Sequence, residues 1–343
     1  MVGKTVSAVV CMLAVILLAG CGGGGGGGSA SLYTGITSPS TITDNNAEQI
    51  ALQAYQAGDL SASTVSILGT SGSGNPATDR PKVLTLVRLL KDAAEKTPVP
   101  AGSSVRTNSS TRALPMTVVT IDNTIFDGSG GSMSFTLSAD DQTGEFTGTF
   151  RFDNWHGDGG GEISGLANVS GTFDMTGGSF AHISFSFNPI TMVDGDDSVT
   201  IHGTLDLSVN VSVNGPSASA SMNVYLRNNH SGETVWIDHY TLNVTDGPDG
   251  DFDGDPDYVD ATVSGRIYLP NYGYVDVSTT ASFRYSSGCT LPASGVLVVT
   301  GSGGGSARLT VIDAVPESWG YYVEADVDGI PGFEWRSTDH PWT

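Results

Sequence analysis

The stretch SVTIHGTLDLSVNVSV, residues 198–213, decides the fold of this chain. Every second residue from Val199 to Val213 is aliphatic or glycine, and the residues between them are serine, threonine, histidine, aspartate or asparagine. A period of two places these two sets on opposite faces of a β-strand. The sequence therefore predicts one long strand with a buried face and a solvent face.

The same alternation recurs on both sides of this strand, for example in SMSFTLSA, GEFTGTFRF, FAHISFSF and GYVDVSTTASFRY. The connections between these segments are short and rich in glycine, asparagine and aspartate, as in DGSGG, NGP and PNYG. Such connections join neighbouring strands as antiparallel hairpins, and about ten strands fit between Met116 and Ser286. We expect a mainly β protein whose long strands form an up-and-down antiparallel meander, as an open curved sheet or a closed barrel.

Shorter units flank this meander domain of residues 116–286. Residues 45–115 predict two short helices and linkers, because NNAEQIALQAYQAG and PKVLTLVRLLKDAAEK carry apolar residues at helical spacing. The first helix is expected to end at Gly58, and the second to begin near Pro81. Residues 287–343 predict a small C-terminal β unit of three shorter strands.

The amino terminus, MVGKTVSAVVCMLAVILLAGC, has a basic start, an apolar run and small residues before Cys21. This layout predicts a signal peptide over residues 1–20, since the apolar run is too short to span a bilayer comfortably. The final LAGC resembles the lipobox of bacterial lipoproteins. The resemblance implies cleavage before Cys21 and attachment of acyl chains, such as palmitate, to that cysteine.

Residues 21–44 then form a tether that begins with a run of glycines, and such a run stays flexible. In lipoproteins of diderm bacteria an aspartate after the cysteine favours the inner membrane, and Gly22 stands there instead. The resemblance thus implies a lipid anchor in the outer membrane, on its periplasmic or cell-surface side. Residues 32–58 and the C-terminal tail also look similar to segments of proteobacterial surface lipoproteins, a loose likeness that implies no activity.

The charge balance excludes one class of partner. The whole chain has a formal net charge of −22, and cleavage would remove Lys4 but no acid, which gives −23. A protein this acidic repels nucleic acid and anionic head groups and attracts cations and basic partners. We expect no nucleic-acid partner. Cleavage and lipidation would also leave Cys289 without a second cysteine for an internal disulfide.

One acidic loop has ordered spacing. DGDFDGDPDYVD, residues 249–260, resembles the calcium loop of EF-hand proteins, with Gly254 at the sharp turn. The loop departs from that family because Asp260 replaces the usual glutamate, Pro256 lacks an N–H group, and the flanks are predicted strands. We expect a lone calcium loop on a β-hairpin. The resemblance implies these Ca²⁺ ligands: Asp249, Asp251, Asp253, Asp255, Asp257 and Asp260.

The motifs of common enzymes are missing from the sequence. It contains no Gly-x-Ser-x-Gly elbow, no phosphate-binding Gly-x-x-x-x-Gly-Lys-Ser/Thr loop and no His-Glu-x-x-His pair. In VWIDHYTL the alternation slips by one residue at Asp238 and His239, which predicts a β-bulge. We therefore expect a protein that is not an enzyme and has no catalytic residues. A hydrolase whose site we do not recognise is kept as an alternative, behind the two non-enzymatic functions that follow.

Two functions of different kinds remain. The serine- and threonine-rich strand faces favour a surface or periplasmic binding or structural module that holds a protein or a surface polymer, with calcium stiffening the fold. Alternatively, a closed meander could carry an apolar ligand, as lipocalin-like barrels do. The residues expected to line that interior are Phe135, Phe150, Phe185, Leu205, Met222 and Phe283.

Overall fold

The computed structural model describes residues 32–58, 118–140, 143–156, 162–174, 179–194, 197–212, 215–248, 257–286, 291–312, 320–330 and 332–341. Tyr33–Thr343 is one structural unit, and Met1–Leu32 is another. Several predicted features lie outside the described residues: the signal peptide, Cys21, the glycine run that begins the tether, the helix that begins near Pro81, and Cys289.

The described residues form one α-helix, α1 (Ala47–Gly58), and fifteen β-strands. The strands are β1 (Val118–Phe126), β2 (Ser132–Asp140), β3 (Glu145–His156), β4 (Glu162–Asp174), β5 (Ser179–Asp194), β6 (Asp197–Ser212), β7 (Gly215–Asn228), β8 (Thr234–Asp246), β9 (Tyr258–Leu269), β10 (Gly273–Ser286), β11 (Ser294–Thr300), β12 (Ser306–Ile312), β13 (Gly320–Asp326), β14 (Trp335–Arg336) and β15 (His340–Pro341).

The strands form one antiparallel sheet, in which each strand from β2 to β14 pairs with the strand before it. This order confirms the predicted mainly β up-and-down meander with a short N-terminal helix. Among the described pairings the order is linear, and β15 returns to pair with β13. Pairing continues from β10 to β11, so the strands after residue 286 extend the same sheet.

The strand predicted at 198–213 is β6, and its alternation is confirmed. Val199, Ile201, Leu205 and Leu207 are buried, whereas Thr204 between them is exposed. β6 pairs with β7 without a register shift from Val199 to Ser212. One face of this long pair therefore belongs to the core and the other faces solvent.

Helix α1 covers part of the buried face of the sheet. It packs on β8, β9, β11, β12 and β13, and the ring centroid of Tyr55 lies 5.4 Å from that of Phe283. No helix in the described part of the chain has the length and apolar content needed to cross a membrane. The apolar face predicted for this helix is confirmed as buried: Ala47, Ile50, Ala51, Ala54 and Tyr55.

The segment before α1 is held against the end of the sheet. The ring of Tyr33 lies 5.5 Å from that of Tyr268 and 6.1 Å from that of Trp236. The N–H of Ser40 then donates to the carbonyl oxygen of Tyr274 at 2.8 Å, and the N–H of Ser302 donates to the carbonyl oxygen of Ser40 at 2.7 Å. The chain therefore crosses the β9–β10 and β11–β12 turns before it enters the helix.

A line of irregularities crosses the long strands, and we call it the bulge line. The register shifts between Phe152 and Trp155, Gly165 and Ala167, Phe187 and Ile190, Met222 and Val224, and Asp238 and Thr241. His239, at φ 48°, confirms the bulge predicted there. Because each bulge bends its strand, the sheet bends along this line.

At the bulge line, the backbone of a neighbouring strand approaches two glycines closely. Gly203 has φ 119°, and a Cβ atom there would lie 2.0 Å from the carbonyl oxygen of Asn223. Gly165 has φ 130°, and its Cβ would lie 2.2 Å from the carbonyl oxygen of Pro189. Both the backbone conformation and the close approach require glycine, so these residues let the neighbouring strands stay paired across the bend.

Candidate functional site

The solvent face of the sheet carries short polar side chains that align from strand to strand in transverse rows. In the first row nine consecutive strands place directly paired residues side by side. Eight of them carry hydroxyl groups: Thr120, Ser138, Thr147, Ser170, Ser184, Ser221, Thr241 and Ser264, with Asp206 between Ser184 and Ser221.

Two further rows flank the first, and we call the three together the hydroxyl rows. One comprises Asp122, Thr136, Thr149, Asn168, Ser186, Thr204 and Asn223. The other comprises Glu145, Thr172, His182, Ser208, Ser219, Asn243 and Thr262. None of these positions is occupied by lysine or arginine.

The hydroxyl rows form a regular grid. Paired residues repeat at the strand spacing of about 4.8 Å, and successive solvent-facing residues on one strand repeat at about 6.6 Å. Some neighbours hydrogen-bond to each other, as Thr120 Oγ1 and Ser138 Oγ do at 3.4 Å. Since a hydroxyl group both donates and accepts, such a grid can bind a ligand whose own hydroxyl groups repeat.

A row of aromatic rings lies on the same face next to Asn223. Trp236 is stacked on Tyr225 with a centroid distance of 5.2 Å, and on Tyr268 with a centroid distance of 4.2 Å. Tyr33 packs against Trp236 and Tyr268, and burial raises the pKa of Tyr33 to about 12, helped by Tyr268. Because the ring faces pack on one another, this row stabilises the sheet and holds the N-terminal segment.

Most of the predicted calcium loop lies outside the described residues. Asp249, Asp251, Asp253 and Asp255 fall in the undescribed range 249–256. The flanking strands β8 and β9 confirm that the loop joins a β-hairpin, and the N–H of Asp257 donates to the carbonyl oxygen of Pro248 at 2.9 Å.

Asp260 lies on β9 and forms a two-point ion pair with Arg284 of β10. Its oxygens accept from Arg284 Nε and the guanidinium NH2 nitrogen, each at 2.8 Å. The hydrogen bond to Asp260 raises the pKa of Arg284, whose guanidinium also lies 3.8 Å from the ring centroid of Tyr258. Asp260 would have to leave Arg284 to close a calcium cage.

A second acidic group lies at the opposite end of the sheet, after β13. Oxygen atoms of Asp326, Asp328 and Glu334 all lie within 4.8 Å of one another. Asp326 and Asp328 also accept the N–H groups of Gly329 and Ile330, at 2.8 and 2.9 Å. In the sequence, Asp326-Val327-Asp328-Gly329 indicates only an acidic turn. The third carboxylate, Glu334, comes beside this turn only through the fold.

Asp127 organises the turn between β1 and β2 and ties it to the end of β3. Its carboxylate accepts the N–H groups of Ser129 at 2.7 Å, Gly131 at 3.0 Å and His156 at 2.7 Å, and it lies 3.0 Å from His156 Nδ1. Burial alone would raise the pKa of Asp127, but the hydrogen bonds from His156, Ser129 and Gly131 together lower it to about 2. These contacts give the residue a structural role.

Asp127→Asn is expected to lower the free energy of unfolding near neutral pH by about 2 kcal/mol, because three N–H groups would lose a charged acceptor. In the wild type this stabilisation is complete above the unfolded-state pKa of about 4 and is lost as pH falls towards the folded-state pKa of about 2. Urea unfolding at a series of pH values measures both effects.

The matched control is Asp122→Asn, which changes an exposed carboxylate on β1, the strand that leads into this turn. The control should leave the free energy of unfolding within about 0.5 kcal/mol of wild type. An Asp127→Asn variant with the same acid dependence as wild type would contradict the role assigned to this carboxylate.

No family model, curated protein or solved structure matches this chain. Its function must therefore be inferred from the surfaces described above.

Proposed function

We propose that this protein is a non-enzymatic lipoprotein, anchored in the outer membrane through Cys21, whose hydroxyl rows bind a neutral, hydroxyl-rich surface polymer. The observation that carries the proposal is the alignment of hydroxyl side chains across nine paired strands. The anchor rests on the lipobox and the glycine tether of the sequence.

A repeating polymer suits this grid better than a small ligand does. A single hydrogen bond made in water contributes only about 1 kcal/mol. Many weak contacts gain strength when they belong to one chain, because the first contact raises the effective concentration of the next. The carboxylates of Asp122, Glu145 and Asp206 lie within the rows and would repel an anionic polymer, which favours a neutral one.

The packing of the interior favours this binding module over the carrier. The six residues proposed to line a ligand cavity, Phe135, Phe150, Phe185, Leu205, Met222 and Phe283, are each only 2% exposed. A side chain that lines an empty cavity of several hundred Å³ would retain accessible surface towards that cavity. These six residues instead contact other protein atoms over nearly their whole surface.

Binding can be tested with neutral glucans, such as dextran and soluble starch, and with anionic alginate, by affinity electrophoresis of the purified full chain. Ser170→Lys/Ser221→Lys places two long charged side chains in the first row. We expect wild type to be retarded by at least one neutral glucan, and the variant to lose at least about tenfold in affinity for it.

The matched control is Thr143→Lys/Ser231→Lys, which adds the same charge in exposed hairpin turns outside the hydroxyl rows. The control should bind like wild type. An equal loss of affinity in both variants would show that the added charge, and not its position in the hydroxyl rows, weakens binding. A wild type that binds only alginate would refute the proposal of a neutral polymer.

We also propose that calcium stabilises the fold, at the loop of residues 249–260 or at Asp326, Asp328 and Glu334. Several carboxylates held close together repel one another, and a divalent cation bound by their oxygens removes that repulsion. The strand that precedes the loop, β8, ends at one end of the sheet, and β13, which precedes Asp328 and Glu334, ends at the other. Separate variants can therefore distinguish them.

Thermal unfolding in calcium and in chelator measures this stabilisation. We expect calcium to raise the melting temperature of wild type by a few degrees, on the order of 1 kcal/mol of stabilisation. Asp249→Asn/Asp253→Asn abolishes the increase if the loop holds the ion, and Asp326→Asn/Asp328→Asn abolishes it if the second group does. A wild type with equal melting temperatures in both buffers would refute calcium binding at either position.

A further inference from the structure

One end of the sheet differs from the other in the apolar side chains that it exposes. The odd-numbered strands run towards this end, which contains the β9–β10 turn, the β11–β12 turn and the loop after β13. Within the described part of Tyr33–Thr343, five large apolar side chains are exposed, and all five lie at this end: Ile36, Phe126, Val327, Ile330 and Phe333.

Four of these side chains belong to neighbouring segments, and we call them the apolar rim: Ile36, Val327, Ile330 and Phe333. The N–H of Ile36 donates to the carbonyl oxygen of Pro270 at 3.3 Å, and the segment that follows bonds to Ser302. The loop after β13 reaches the same turn, because a Cβ on Gly329 would lie 2.8 Å from the carbonyl oxygen of Gly303.

The chain that leads to the proposed lipid anchor enters the sheet at this same end. Residues 22–31 separate Cys21 from the first described residue, and a segment of this length spans at most about 35 Å when fully extended. A glycine-rich chain of the same length has a root-mean-square span of about 17 Å. A membrane that holds Cys21 therefore lies within reach of the apolar rim.

We propose that the apolar rim docks into the head-group region of the membrane that holds the anchor, with Ile330, the most exposed of the four side chains, as its tip. This inference rests on the proposed lipidation of Cys21. Exposed aliphatic and aromatic side chains gain free energy when they enter the interface, and a second attachment strengthens an anchor of few acyl chains.

The charge of the same loop selects the kind of lipid. Asp326, Asp328 and Glu334 lie between and beside the apolar residues, and their carboxylates would be repelled by anionic head groups. The lipid surface that fits the rim is therefore zwitterionic. In this orientation the strands stand on the membrane, the hydroxyl rows run parallel to it, and the end of β8 and the start of β9 lie far from it.

The test uses the full chain, purified from bacterial membranes with its anchor and reconstituted into phosphatidylcholine vesicles that carry a nitroxide on the head group. A fluorophore is attached to Ile330→Cys or, as the control at the opposite end, to Thr143→Cys, both in a Cys289→Ser background. We expect the nitroxide to quench the fluorophore at position 330 and to leave that at position 143 unquenched. Thermal melts confirm that both labelled proteins are folded.

The outcomes distinguish docking of the apolar rim from attachment through the lipid on Cys21. If the protein floats with the vesicles and position 330 is not quenched, or if both positions are quenched equally, the docking of the rim is refuted while the anchor stands. If the reconstituted protein fails to float with vesicles, as Cys21→Ala should, the anchor is refuted and the inference falls with it. Loss of the quenching at position 330 when Val327→Ser is added would confirm that the loop itself enters the lipid.

Discussion

Replacing Gly203 by alanine is expected to lower the free energy of unfolding by about 3 kcal/mol. The new Cβ would lie 2.0 Å from the carbonyl oxygen of Asn223 and 2.8 Å from the Cα of Val224, both backbone atoms of the paired strand β7. The backbone of Gly203 also has φ 119°, a conformation that alanine rarely adopts. Either the pairing of β6 with β7 or the bend at this position has to change.

Gly232→Ala is the matched control for this prediction. Gly232 also has positive φ, 75°, but nothing lies within 4 Å of its Cβ position, because it lies in the exposed β7–β8 turn. Alanine there should cost only the conformational strain, about 1 kcal/mol. Chemical denaturation of the three proteins measures the difference, and equal losses in the two variants would show that the close approach at the bulge line does not matter.

Phe185→Ala is expected to lower the free energy of unfolding by about 3–5 kcal/mol, because it removes a ring that is 2% exposed. Phe185 lies on β5, and its ring is stacked near that of Phe187 at a centroid distance of 6.2 Å. A packed core relaxes only partly around a cavity, so most of the lost packing contacts are not recovered. The protein should therefore unfold at a clearly lower denaturant concentration. The slope of the transition should not change.

Phe126→Ala makes the same chemical change at a ring that is 75% exposed, and it should alter the free energy of unfolding by less than about 0.5 kcal/mol. The comparison also distinguishes the two functions. If Phe185→Ala were as stable as Phe126→Ala, the ring would not be packed against the core, and the carrier of an apolar ligand would again be favoured.

The meander could be predicted from the sequence because its signals are local. Alternation assigns each residue of β6 to a face, and short connections make neighbouring strands antiparallel. The bulge at His239 was also predictable, since a slip of one residue is visible in the alternation itself. The first helix carries its own periodicity and its end at Gly58.

The candidate site was predictable only in part, because it depends on how strands align. Alternation places Ser170 and Ser221 on the solvent face, but only the register and the bulges bring them into one row. The ion pair between Asp260 and Arg284 joins residues 24 positions apart, and the sequence does not indicate which arginine would face that carboxylate. Glu334 likewise reaches Asp326 through a loop whose path has no periodic signal.

The docking of helix α1 has a consequence for folding. Almost every pairing in the sheet joins strands that follow one another, so the sheet has low contact order and can form progressively along the chain. Helix α1 instead makes contacts that are distant in sequence, because it packs on β11–β13 and its Glu48 lies 3.0 Å from His340. The start of the folded unit must therefore wait for its last strands, so α1 docking is expected to be a late step that closes an otherwise sequential folding pathway.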